Sequence, residues 1–222
     1  MALSIGDITD NVRKALKCDE EFQLQVQERL GLDLFYASDV FTCKVYRVWR
    51  RMKIQEENLK TEYERRAMDL GKKIHEKIQG YFEKYLGFLS EVRLISSHIT
   101  GKADLYLEDE AIIEIKTTSC IPNYPIKRHV GQLQTYRMIY QKVMNKDIQC
   151  FLVYVNTDND GLIDVRVFDV GNQWFKETIM DWKEVIELWN GFDERKIKEV
   201  FGKEECLKCG FRNVCSEINK RN

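Results

Sequence analysis

Asp104, Glu114 and Lys116 fall within the stretch GKADLYLEDEAIIEIKTTS, residues 101 to 119, and their spacing is the first sign of chemistry in the chain. ITGKADLYL and AIIEIKTT read as consecutive strands joined by the acidic turn Glu108 to Glu110. A three-residue turn pairs Leu107 with Ala111. Counting back along that ladder brings Asp104 opposite Glu114, with Lys116 on the same face. Opposed carboxylates repel unless a cation sits between them, and a hard ion such as Mg²⁺ or Mn²⁺ takes carboxylate oxygens plus water. The chemistry this suggests is phosphodiester hydrolysis without a covalent intermediate: the cation acidifies water and screens the phosphate, while Lys116 orients or activates that water or stabilises the transition state. The same residues also suit a solvated hairpin. Glu194-Arg195-Lys196 repeats the Glu-x-Lys spacing in a helical stretch, and a longer turn or a bulge shifts the register.

Other polar residues stand at helical spacing nearby. Gly71 lies one turn before His75, where a small residue admits a close backbone and the imidazole is a candidate further ligand or an ordinary helical histidine. Gln132 and Tyr136 are at i and i+4 and project from one helix face, where Tyr136 also suits plain packing. Lys127 and Arg128 precede them and are the best-placed cations for a DNA backbone. Tyr46 and Trp49, interleaved with Arg47, Arg50, Arg51 and Lys53, are candidate stacking residues for unpaired bases or members of an amphipathic face.

The elements that must position these groups alternate along the chain. Residues 1–35 read as short polar helices and form an N-terminal extension. Residues 36–90 form a helical region: one helix opens at Ser38 as N-cap with DVFTCKVYRVWRRM as its body, and a longer one runs from about Gln55 to Tyr85. Its apolar face is Leu59, Tyr63, Ala67, Leu70, Ile74, Ile78, Phe82 and Tyr85. Residues 91–170 hold three strands (EVRLIS, ITGKADLYL, AIIEIKTT), the helix HVGQLQTYRMIYQKVMN and the hairpin IQCFLVYVN and IDVRVFDV. Residues 171–222 hold a last helix, from about Asn172 to Trp189, and a cysteine-rich tail. This order predicts an α/β (α+β) fold with a mixed sheet, packed as one interleaved unit.

Composition narrows the function classes. The 222 residues carry 35 basic and 36 acidic side chains, a formal net charge of −1, so a nucleic-acid partner must be held by local patches rather than by a global field. The sequence shows no phosphate loop of the G-x-x-x-x-G-K-[ST] type, hence no motor of its own. The first residues lack a secretion-signal pattern and no apolar run is long enough to span a bilayer, which predicts a cytoplasmic protein with no membrane partner.

Seven cysteines in such a compartment do not suggest a disulfide framework. Cys206, Cys209 and Cys215 lie within ten residues, and a zinc or iron-sulfur site needs a fourth ligand, for which Cys18, Cys43, Cys120 and Cys150 are the candidates.

Taken in order, Gly71 and His75 (G-x-x-x-H), Gly101 and Asp104 (G-x-x-D), Glu114, Lys116 and Thr117 (E-x-K-T), and Gln132 and Tyr136 (Q-x-x-x-Y) resemble the RecB-like branch of the PD-(D/E)xK nucleases. Ala103 stands where that superfamily carries a proline before the first aspartate. Ser38 with Cys43, and Cys206, Cys209 and Cys215 after the core, resemble the CRISPR-associated RecB-like iron-sulfur exonucleases or a viral relative. The resemblance spans about residues 36 to 217. It implies a restriction-endonuclease-like core with a C-terminal iron-sulfur module. Metal binding would fall to His75, Asp104, Glu114 and the Ile115 carbonyl, catalysis to Lys116, and substrate positioning to Gln132 and Tyr136. It further implies a structural 4Fe-4S cluster on Cys43, Cys206, Cys209 and Cys215, where Zn²⁺ is the chemical alternative. The activity implied is Mg²⁺- or Mn²⁺-dependent exonuclease action on single-stranded DNA, in spacer acquisition with CRISPR integrase proteins (antiviral defense) or in viral DNA processing. The rival readings are a DNA-binding adaptor with vestigial nuclease residues and a zinc-stapled interaction protein.

Overall fold

A computed structural model describes residues 34–57, 60–157, 163–192 and 204–221. In chain order these form β1 (Phe35–Tyr36), a 3-10 turn (Ala37–Asp39), α1 (Lys44–Arg51), α2 (Glu62–Leu86), β2 (Leu89–Ile95), β3 (Ile99–Leu107) and β4 (Ala111–Thr118). There follow α3 (Lys127–Met144), β5 (Gln149–Thr157), β6 (Ile163–Asp169), α4 (Phe175–Asn190), a second 3-10 turn (Glu204–Lys208) and α5 (Arg212–Arg221). The reading of residues 1–35 as short polar helices lies outside the described residues up to residue 33 and is wrong at Phe35, which opens β1; Cys18 and the Glu194 to Lys196 stretch also lie outside them.

The sheet has six strands in the order β1-β3-β4-β5-β6, with β2 on the other edge of β3. β4 runs parallel to β5 and β1 parallel to β3; the remaining pairs are antiparallel. Because Thr100 pairs with both Tyr36 and Ile95, and Leu105 with both Ser90 and Ile113, β1 and β4 must share one edge of β3. Between them, Gly101 to Asp104 have no strand beside them on that edge. The expected Leu107–Ala111 pair forms, yet the ladder stops at Leu105–Ile113, one residue short of setting Asp104 against Glu114.

The β2–β3 ladder also skips the Glu91–Asp104 position, where Glu91 has φ 57°. There the Gln79 amide of α2 donates to the Asp104 carbonyl, replacing the missing strand partner. The regular alternation of β3 breaks at this point, so Ala103 joins the core under α3 while Leu105 joins the core under α2.

α3 lies on one face, burying Val130, Leu133, Tyr136, Ile139 and Tyr140 against Ile112, Cys150, Leu152 and Tyr154. α2 crosses the other face, where Ile74, Ile78 and Phe82 meet Leu105, Ile113, Ile115 and Val155. Thr61 and Glu64 form a reciprocal capping box at its start and Gly87 ends it at φ 72°. The predicted apolar stripe is too long: Tyr63, Leu70 and Tyr85 are exposed, because only the middle and later turns of α2 meet the sheet.

Two further expectations change. No helix begins at Ser38; the chain makes a 3-10 turn, passes through Phe41 at φ 59° and enters α1 at Lys44 with Cys43 as N-cap. α1 is then held by a buried pair, with Arg47 donating two hydrogen bonds to Asp181 of α4 at 2.7 and 2.8 Å, and by Arg51 sandwiched between Phe35 and Trp189. Trp49 is 4% exposed, so these arginines and this indole are structural rather than base-stacking. Among the described residues no helix is long and apolar enough to cross a membrane.

A Cβ on Gly101 would lie 2.4 Å from Cε1 of Tyr136 and 2.7 Å from Cβ of Ala37. Gly101→Ala is therefore expected to lower stability by about 1–3 kcal/mol, the usual cost of overpacking, measured as a reduced urea midpoint; an unchanged midpoint would show that the ring has room to move.

Candidate active site

The missing strand pairs at Gly101 to Asp104 leave a cleft in the sheet, and polar side chains fill it. Asp104 Oδ2 accepts the Ile115 N–H at 2.7 Å, replacing the ladder bond that would have closed the two strands. Its Oδ1 lies 3.4 Å from Nδ1 of His75, which reaches in from α2. Gly71 makes this approach possible: a Cβ there would meet the Thr117 hydroxyl at 2.7 Å. The hydrogen bond with Asp104 raises the pKa of His75 above its ordinary value against the opposing effect of burial.

Glu114, Lys116, Gln132 and Tyr136 form one network facing α3. Lys116 Nζ donates to Glu114 Oε1 at 2.6 Å and to Gln132 Oε1 at 3.0 Å. Gln132 Nε2 donates to the same Glu114 oxygen and to Tyr136 Oη, both at 2.7 Å, and Tyr136 donates to the Lys102 carbonyl at 2.9 Å. The last bond satisfies a carbonyl on the open edge of β3. Burial pushes the Tyr136 hydroxyl well above its ordinary pKa. With both ends of its amide committed, Gln132 can hold only one orientation.

Glu114 is the anomaly of the network. Its side chain is buried, and Oε2 has no hydrogen-bond partner. Burial pushes its carboxyl up to about 7, with Lys116 opposing and Asp104 reinforcing the rise. A buried, half-satisfied carboxylate beside a second carboxylate is costly by itself. A divalent cation would supply the absent partner, and the donors present fit one by type: Glu114 Oε2, Asp104, His75 and the Ile115 carbonyl are hard oxygen donors plus an imidazole. Among the described residues no three or more His, Cys, Asp or Glu side chains are grouped so as to hold a metal ion as they stand. Lys116 and Ile115 hold two of the candidate donors, through Glu114 Oε1 and Asp104 Oδ2.

The cysteines separate as follows. Cys43, Cys206, Cys209 and Cys215 are all free and line one cavity of about 810 Å³. Trp49 donates to Cys215 Sγ at 3.3 Å, and burial raises the thiol pKa values of Cys209 and Cys215. Lys44, Lys127, Arg128, Lys208 and Arg212 line the same cavity against Glu56 and Asp181, a basic excess suited to an anionic thiolate-bound group. Of the other candidates, Cys150 is buried in β5 with its thiol pushed up to about 12, and Cys120 is exposed. Lys127 and Arg128 thus lie at the cysteine cavity, where Lys127 sits over the Phe41 ring at 4.6 Å and Arg128 donates to the Ser38 carbonyl at 3.0 Å.

Sequence reasoning missed Gln79, although it continues the four-residue spacing of Gly71 and His75. It also missed Tyr36, Arg93 and Lys102, which line a cavity beside Gln132 and Tyr136. No local motif marks those three, since β1 is only two residues long and meets β3 from far away in sequence.

A mixed sheet opened between two strands, with two acids and a lysine at the opening, defines a nuclease fold. The chain belongs to the PD-(D/E)XK nuclease superfamily, whose family model matches residues 8–216. Among solved structures it is similar to SSO0001, at 20% identity over 87% of this chain and 95% of that one, with a TM-score of 0.54. It is also similar to an alkaline exonuclease (LHK-Exo) from Laribacter hongkongensis, at 15% identity over 72% of this chain and 89% of that one, TM-score 0.48. No curated protein matches it.

The raised Glu114 pKa has a stability consequence in chelator. Between the unfolded carboxyl's ordinary 4.5 and about 7 the folded state binds the extra proton, so metal-free stability falls as pH rises through that window. Glu114→Gln is expected to flatten this slope in pH-dependent urea melts; a slope identical to wild type would assign the titration elsewhere.

Proposed function

We propose that the protein is a Mg²⁺- or Mn²⁺-dependent deoxyribonuclease that hydrolyses phosphodiester bonds of single-stranded DNA from an end. The observation that carries this reading is the unpartnered, buried Oε2 of Glu114, next to Asp104 and with Lys116 bound to the other oxygen. Superfamily membership supports the reaction class. His75, Asp104, Glu114 and the Ile115 carbonyl would hold the cation, which when bound supplies Lewis-acid charge at the phosphate and acidity to water.

The chain's own groups perform the rest. Lys116 shifts from Glu114 to the substrate, where its ammonium orients the attacking water and stabilises charge on the phosphate oxygens. Gln132 holds Lys116 and Glu114 in register, and Tyr136 fixes Gln132 through the Lys102 carbonyl. His75 keeps Asp104 oriented from the α2 side.

We assign a structural 4Fe-4S cluster to Cys43, Cys206, Cys209 and Cys215. Their shared cavity and its basic lining support the assignment, and four thiolates suit Zn²⁺ as the alternative. The resemblance of the motif order to CRISPR-associated iron-sulfur exonucleases supports a role in spacer acquisition beside integrase proteins, or in viral DNA processing. Lys127 and Arg128 would contact DNA near the cluster.

Asp104→Ala and Lys116→Ala are each expected to lower cleavage of end-labelled single-stranded DNA with Mn²⁺ by about 10²–10³-fold or more, and chelator to abolish it. Cleavage indifferent to chelator would overturn the site; a folded wild type that binds DNA without cutting it would favour the adaptor. Anaerobically purified protein is expected to be brown, with the colour lost on Cys209→Ser; a colourless protein with stoichiometric zinc would replace the cluster with zinc.

A further inference from the structure

On the β1 side of the cleft lies a cavity of about 520 Å³ lined by Tyr36, Ser38, Arg93, Gly101, Lys102, Gln132 and Tyr136 among others. A second cavity, of about 700 Å³, lies on the α2 side and is lined by His75, Gln79, Glu91, Ile115 and Lys116. The acid-lysine cluster stands between the two, reaching the first through Gln132 and Tyr136 and the second through His75 and Lys116. A strand with its scissile phosphate at that cluster must have a flanking nucleotide on each side.

The first cavity brings two cations and an aromatic ring together. Arg93 and Lys102 are direct cross-strand partners on β2 and β3, so two cations border the cavity side by side. Lys102 is paired with Glu91, but that pair is solvent-exposed and holds the lysine weakly. Facing them, the Tyr36 ring is 47% exposed although it sits in a strand. The Arg50 guanidinium lies 4.6 Å from the Tyr36 ring centroid and is anchored on Asp39 by bonds of 2.5 and 2.6 Å, so the ring is fixed while still lining the cavity. An immobilised aromatic beside two cations matches one nucleotide: a flat base for the ring and a phosphate for the charges. The volume falls in the range of about 300–1,000 Å³ typical of small-ligand pockets.

We propose that this cavity is a nucleotide subsite, seating the nucleotide of the DNA strand next to the scissile phosphate, with its base on Tyr36 and its phosphate on Arg93 and Lys102. The proposal rests on the nuclease reading and adds the contacts that hold the strand. Gly101 and Tyr136 form the floor, which couples filling of the subsite to the Tyr136–Gln132–Glu114 chain of hydrogen bonds.

The test is fluorescence-anisotropy titration of the full-length protein with a short fluorescein-labelled oligothymidine in chelator, where the strand is bound but not cut. Tyr36→Ala is expected to raise Kd about tenfold, and Tyr36→Trp to restore it; the tryptophan arm separates loss of stacking from loss of folding. Arg93→Gln combined with Lys102→Gln is expected to flatten the log Kd against log salt slope by about 0.7, from the loss of one phosphate contact on a single strand. Lys176→Gln with Lys183→Gln, removing equal charge from the exposed face of α4, is expected to leave Kd near wild type. If the cavity variants bind like wild type while wild type cleaves with Mn²⁺, the subsite is overturned and the nuclease reading stands. A wild type that neither binds nor cleaves overturns both.

Discussion

Four residues of β3, Gly101 to Asp104, have no strand beside them on the edge that β1 and β4 share. Backbone polar groups cannot be left bare in a protein interior, and three side chains near the opening answer that constraint. Asp104 takes the Ile115 N–H, Tyr136 takes the Lys102 carbonyl, and Gln79 takes the Asp104 carbonyl from the opposite edge. Asp104 and Tyr136, which close two of these gaps, are also among the residues proposed to serve cation and substrate. This explains why the two motif glycines are needed: Gly101 lets the Tyr136 ring reach β3, and Gly71 lets α2 approach β4 closely enough for His75 to meet Asp104.

The cysteine cavity is a separate solution to a separate problem. α1 and α5 meet around Val45, Trp49, Phe211 and Ile218, a small apolar cluster of few buried side chains. Gly210 packs against Glu56, and the Glu57 N–H is bonded to the Gly210 carbonyl at 3.0 Å. A metal group on Cys43, Cys206, Cys209 and Cys215 would tie this cluster together across more than 160 residues of sequence. The stabilisation from closing so long a loop grows only logarithmically with its length. Lys127 and Arg128 at the start of α3 border this cavity, so the cluster region and the helix carrying Gln132 and Tyr136 are mechanically adjacent.

Where the signal was local periodicity, the sequence was legible. β3 and β4 run over the predicted residues, the Leu107–Ala111 pair follows from the turn, and α3 presents Gln132 and Tyr136 on one face as i, i+4 spacing requires. Long-range geometry was not legible. Nothing in ITGKADLYL announces that its ladder with AIIEIKTT stops at Leu105, because the stop depends on β1 arriving from residue 35 and β4 leaving toward β5. The start of α1 failed for a related reason: Ser38 is a good N-cap, but Phe41 must turn out of helical geometry so that its N–H can reach Asp181, 140 residues away. Arg47 and Arg51 read as part of a DNA-facing cluster or an amphipathic face, yet they are buried because Asp181, Phe35 and Trp189 supply partners that only the fold brings near.

The cleft carboxylates Asp104 and Glu114 are proposed to form a divalent-cation site, with the unpartnered Glu114 Oε2 as one of its ligands. Anomalous diffraction from crystals soaked in Mn²⁺ tests this most directly. The account predicts a manganese peak within coordination distance of Asp104 and Glu114 Oε2, absent when Asp104 is replaced by alanine. Manganese found only elsewhere, with Glu114 still held by Lys116 and Gln132 and its second oxygen bare, would contradict it.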